Sequence, residues 1–135
     1  MLHQSKLPRL FLFAAGVWLV IGVGLGLYMG ASTNFALAPV HGHINLIGWA
    51  SLALFGLTYQ AFPHAVSARF GQIHFLLSVA AAIFFPFGLW LELYQGEPRL
   101  IALASLLWLA AALQYALLAG KLVFRRGSSD PGAAP

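Results

Sequence analysis

From Leu10 to Ala68 the chain reads LFLFAAGVWLVIGVGLGLYMGASTNFALAPVHGHINLIGWASLALFGLTYQAFPHAVSA, without one Asp, Glu, Lys or Arg. A bilayer core about 30 Å thick needs about 20 apolar residues of helix. The stretch holds two such spans, roughly 10–29 and 40–62, joined by a segment rich in Ser, Thr, Asn and Pro. Lipid offers no partner to an unpaired backbone group, so each span must be helical. Pro39 fits the first turn of the second span, where a missing N–H is harmless. Pro63 ends it.

Further along, charged residues are absent again from 70 to 91 and from 100 to 120. Each gap is long enough for one more span, roughly 72–91 and 100–119. Pro86 lies inside the third span and is expected to kink it. Gly96-Glu97-Pro98 is turn chemistry between the last two spans. The expected fold is all-α, an integral membrane four-helix bundle forming one domain over residues 1–126. The tail from Gly127, GSSDPGAAP, has no apolar face and reads as disordered.

Composition agrees. Hydrophobic residues make up 61% of the chain and charged residues 7%, whereas soluble domains carry about 25% charged residues. The formal charge of +4 invites a nucleic-acid reading. The basic residues sit at span ends instead of forming a stripe, so the partner they suit is the lipid bilayer. Lys6, Arg9, Arg69, Lys121, Arg125 and Arg126 fall at one side and only Arg99 at the other. By the positive-inside rule both termini are cytoplasmic, in a multi-pass protein of the cell's inner (plasma) membrane. The first apolar run is longer than a usual signal-peptide core, so it reads as a retained helix. With no cysteine in the chain, disulfides, thiolate metal sites and thiol nucleophiles are excluded. No Ser/His/Asp set, phosphate loop or carboxylate pair is visible, so no catalytic residue is assigned.

The segment with chemistry is His41-Gly42-His43-Ile44-Asn45-Leu46-Ile47-Gly48-Trp49, at the outer end of the second span. Histidine inside an apolar helix is costly without a task, and imidazole is a common metal and haem-iron ligand. Residues two apart on a helix point about 200° apart, so His41 and His43 face nearly opposite ways. That is poor geometry for one chelated ion and good geometry for presenting one ligand to each of two pockets. Gly42 and Gly48 leave flat surface for a large planar group. Interfacial histidines bonded to water or backbone are the alternative, and a zinc or copper site stays open if the segment near Pro39 is not helical. His64 and His74 lie near the other membrane surface, with a structural hydrogen bond the better reading for His74. From the span limits, His43 and His74 should be about 25 Å apart along the membrane normal. Gly22, Gly24, Gly26 and Gly30 include a small-xxx-small pattern, which suits packing within the monomer or between copies.

The stretch HGHINLIGWASLALFGLTYQAFP, residues 41–63, resembles the tenth transmembrane helix of the catalytic subunit of haem–copper oxygen reductases and nitric oxide reductases. The matching residues are His41, His43, Gly48, Trp49, Phe55, Gly56, Tyr59 and Pro63, and the branch containing the cbb-type oxidases is the most similar. The following span resembles the eleventh helix, with His74-Phe75 near its start and Phe84-Phe85-Pro86 inside it. Glu97-Pro98-Arg99 resembles the Pro-Arg-Arg turn that follows. The resemblance covers roughly residues 41–99; the outer two spans stand for the ninth and twelfth helices on position more than on residues.

What the resemblance implies is a haem site. His41 matches the ligand of the high-spin haem and His43 that of the low-spin haem. Arg99 matches the first of two arginines on the haem propionates, while Leu100 replaces the second; a snorkelling anchor is the alternative for Arg99. Trp49 matches a position that could pack on a haem edge or fill the bundle. The family's subunit has about twelve spans, and this chain lacks the helices carrying the copper ligands and the other low-spin haem ligand. A complete haem–copper centre therefore cannot sit in one chain. The functional expectation is a small membrane protein binding haem b non-covalently, since no C-x-x-C-H is present. It would serve electron transfer or redox or gas sensing as a homo-oligomer, in which a second copy could supply the other ligand to the haem iron. The alternatives are an accessory part of an oxidase or nitric oxide reductase with respiratory-chain subunits as partners, and a non-haem protein handling copper.

Overall fold

The computed structural model describes residues 6–125. The expected disordered tail and Arg126 lie outside them. Four helices follow one another: α1 Leu7–Ser32, α2 Ala38–Ala61, α3 Ala68–Gln95 and α4 Arg99–Arg125. All four are long and apolar enough to cross a membrane. The chain is an all-α, multi-pass membrane protein by length and composition of its helices.

α1, α3 and α4 reach past the charge-free runs into their charged flanks, while α2 lies within one. Pro8 stands in the first turn of α1, and Thr33 closes it in the left-handed conformation with φ 51°. Pro39 occupies the first turn of α2 as expected. Ser67 caps α3, its hydroxyl accepting from the Phe70 N–H at 3.3 Å, so that helix starts one turn earlier than its apolar run. The helix runs on through Pro86, which is buried inside it. Gly96, at φ +68°, ends α3 and donates its N–H to the Glu92 carbonyl; glycine adopts this conformation at little cost.

One element was not expected. The middle of α2, Ile44–Ser51, is wound as a π-helix. The Ser51 hydroxyl donates to the Leu46 carbonyl five residues back, at 2.8 Å. Single π turns recur within α-helices at functional sites, and this wider winding begins directly after His43.

The helices pack as two antiparallel pairs, α1 with α2 and α3 with α4, joined along α2 and α3. Glycines set both close approaches. Gly26, Gly22 and Gly56 lie against His41, Asn45 and Phe11 across the α1–α2 seam, and Gly48 lies against Trp18. In α3, Gly88 meets the backbone of Leu100 and Ile101 at the start of α4. Gly24 and Gly30 have open space before them. The small-xxx-small pattern thus serves packing within the monomer at Gly22 and Gly26.

The core sits toward the end where α1 begins and α4 finishes. Phe11, Leu52 and Leu118 are fully buried there with Phe55 and Tyr59. Phe11 stacks on Tyr59 at 5.6 Å and meets Phe75 edge-on at 4.9 Å; such pairs are worth about 0.5–1.5 kcal/mol beyond the area they bury. Outside, Phe13, Val20, Leu27, Leu76 and Leu106 stand exposed. An apolar surface this continuous is the kind that faces lipid.

Candidate functional site

His41 and His43 do face opposite ways, as their spacing predicts. His41 points at α1, where a Cβ on Gly26 would come within 3.0 Å of its Cε1. One turn on, Asn45 follows the same face and meets Gly22. The Asn45 amide donates to the His41 carbonyl at 2.8 Å. The same nitrogen lies 3.4 Å from Nδ1 and 3.3 Å from Nε2 of the His41 ring. The histidine is therefore wedged between a glycine and an amide, half-buried in a helix seam.

His43 points at α3. Its ring stacks on Phe85, with centroids 4.7 Å apart and planes 19° from parallel. Its Nδ1 lies 2.8 Å from the Pro39 carbonyl. A carbonyl can only accept, so Nδ1 carries a proton, and whenever the ring is neutral Nε2 is the nitrogen left without one. This is the arrangement by which a second shell fixes a ligating imidazole: one nitrogen is tied to an acceptor and the other is presented. Pro39 contributes doubly, starting the helix with its ring and fixing the tautomer with its oxygen.

Arg99 begins α4 and is exposed; its Nε lies 3.4 Å from Glu97 Oε1. Because Gly88 of α3 abuts Ile101, and Phe85 lies one turn before Gly88, Arg99 stands at the same end of the bundle as His43. Trp49 is 41% exposed on the outer surface of α2. It does not fill the bundle, because the glycine beside it, Gly48, takes the inward position against Trp18.

His74 lies elsewhere. Phe85, which touches His43, is eleven residues along α3 from His74, roughly 16 Å of helix. With His43 stacked on Phe85, the two histidines therefore stand well apart along the bundle. They cannot share an ion. His74 is fully buried and its Nδ1 is 2.9 Å from the Tyr59 hydroxyl. Phe11, Phe55 and Tyr115 surround the ring. The Ala111 backbone carbonyl interacts with the ring, yet Nε2 completes no hydrogen bond. Nearby on α4, Tyr115 and the Thr58 hydroxyl of α2 lie 3.1 Å apart. His64 is exposed in the turn after α2.

Sequence reasoning missed Asn45, Phe85 and the Pro39 carbonyl as partners of the two histidines. Asn45 was legible: a polar amide four residues after His41, on the same face. The carbonyl of Pro39 was also four residues before His43, but nothing in the sequence says that a ring will turn back to its own helix. Among the described residues no three His, Asp or Glu side chains gather as a metal-ligand cluster. Comparison with protein-family models, with curated proteins and with solved structures gives no match.

Proposed function

We propose that the chain is a small haem-b-binding protein of the inner membrane, with both termini cytoplasmic and His43 as an axial ligand. The observation that carries the reading is the His43 ring itself, tied to Pro39 at Nδ1, backed by Phe85, and left with Nε2 to offer to iron. The motif from His41 to Pro63, with its likeness to a haem-bearing helix, supports the same ring. When bound, the haem would supply reversible one-electron chemistry or a gas-binding iron. The residues of this chain would hold and orient it. His43 would supply an imidazole, Phe85 would hold that ring in place by stacking on it, and Arg99 would supply a guanidinium fork suited to a propionate.

His41 is the weaker ligand candidate. Its ring is seated directly against Gly26, which leaves no gap between α1 and α2 for a porphyrin. Among the described residues His41 faces α1, and His64 and His74 lie toward the other end, so none of them joins His43 on one iron; a second ligand would come from elsewhere. A second copy, presenting its own His43, would give a bis-histidine haem across a dimer; this fits electron transfer or redox sensing better than gas binding, which needs an open coordination position.

The test is to express the chain with haem supplied, purify it in mild detergent, and measure haem content with oligomeric state. The reading expects one haem per two chains and six-coordinate iron in the dimer. A haem-loaded monomer with six-coordinate iron refutes the dimer, and a haem-free protein refutes the reading. Iron bound only when other respiratory subunits co-purify would make the chain an accessory subunit instead.

A further inference from the structure

At the end opposite the His pair, an open groove of about 280 Å³ runs between the turn after α2 and the last turns of α4. Its walls are almost wholly apolar: Phe62, Pro63 and Ala65 on one side, Leu122 on the other. Two nitrogen-bearing side chains, His64 and Lys121, line the same groove. The Lys121 ammonium lies 5.5 Å over the Phe70 ring of α3, a ring that does not line the groove.

The surroundings have one sign. Lys6, Arg9 and Arg69 are exposed at this end. Of the three acidic residues in the chain, Glu92 and Glu97 lie at the far end of α3 and beyond it, and Asp130 lies outside the described residues. Lys121 thus has no carboxylate near it among the described residues. The groove lies at the end of α2 and near the end of α4, the level at which spans of this length would meet lipid headgroups.

We infer that this groove binds an anionic glycerophospholipid, its phosphate at Lys121 and His64 and the upper part of an acyl chain against Phe62 and Leu122. Zwitterionic lipids carry a cation beside their phosphate, so an end that is basic and has no carboxylate among the described residues favours the anionic headgroup. The wall chemistry requires an amphiphile: free phosphate would meet Lys121 but leave the apolar groove wet. Basic pockets at the ends of membrane helices generally take anionic headgroups. The inference does not depend on haem.

Native mass spectrometry of the full chain tests it. The protein is purified in mild detergent and mixed with equal phosphatidylglycerol and phosphatidylethanolamine of matched acyl chains. Retention of phosphatidylglycerol should exceed that of its partner about five-fold, the weight of one lysine at an anionic surface. Lys121→Gln should bring the ratio near one, and Ala65→Phe, which fills the groove but keeps the charge, should lower it likewise. Glu92→Gln, at the other end, should leave it unchanged. Equal retention in the parent protein overturns the site, as does a preference that survives in either Lys121→Gln or Ala65→Phe. Displacement of the lipid by millimolar inorganic phosphate would overturn the amphiphile.

Discussion

The ring of His41 is seated on Gly26, so closely that a methyl group there would come within 3.0 Å of Cε1. Asn45 stands in the same relation to Gly22, with its Oδ1 only 2.6 Å from where a Cβ would be. Two glycines four apart on α1 thus receive two polar side chains four apart on α2. A seam of this kind converts a packing requirement into a position for the histidine.

The first prediction concerns that seam. Gly22→Ala forces Asn45 away and should cost about 1–3 kcal/mol, the range for overpacking. Gly26→Ala should cost less, since the neighbour must move only a few tenths of an ångström. Gly24→Ala, with open space before it, should be neutral or slightly stabilising through helix propensity. Unfolding of the detergent-solubilised variants by denaturing detergent ranks the three.

Gly88→Ala should be worse than any of these. Its methyl would meet the backbone of Ile101, 2.6 Å from the amide nitrogen and 2.9 Å from Cα. A side chain can rotate away, but a helix backbone cannot. A loss of about 2 kcal/mol or more is expected, read as a lowered melting temperature in mild detergent.

The buried pair Tyr59 and His74 should show coupling. Tyr59→Phe leaves Nδ1 of a fully buried ring without its partner, a cost of about 1–3 kcal/mol. His74→Phe, in a cage of aromatic rings, removes the polar groups and fills the space. The double variant should therefore be less destabilised than the sum of the two, by about 0.5–3 kcal/mol in a double-mutant cycle. Strict additivity would contradict the bond.

The ion pair at the far end should matter little to the fold. Arg99 and Glu97 are exposed at 88% and 44% of their side chains, and exposed pairs of this kind are worth about 0–1 kcal/mol. Glu97→Gln should leave the melting temperature within a degree or two, measured at low and high salt.

Much of this architecture is legible in the residues. Charge-free runs set the four spans, and the spacing of His41 and His43 set their opposite faces. The apolar runs fall about a turn short of α1 and α3, because those helices begin at Pro8 and Ser67 and apolar runs begin where lipid does; α2, at Ala38–Ala61, keeps within two residues of its run. The π-helix at Ile44–Ser51 has no local signature; it is a matter of backbone winding under tertiary packing. Trp49 reads as a core aromatic by type, yet Gly48 takes the inward place because the α1 seam demands a residue without a side chain opposite Trp18. The Tyr59–His74 bond joins residues fifteen apart in the chain and on two different helices, and only the pairing of those helices brings it about.

The most direct test of the haem reading is the visible spectrum of His43→Ala beside that of the parent protein, both expressed with haem supplied and recorded oxidised and reduced. The account predicts a Soret band with sharp reduced α and β bands in the parent, lost in His43→Ala and kept in His74→Phe. A colourless parent, or a spectrum unchanged in His43→Ala, would contradict it.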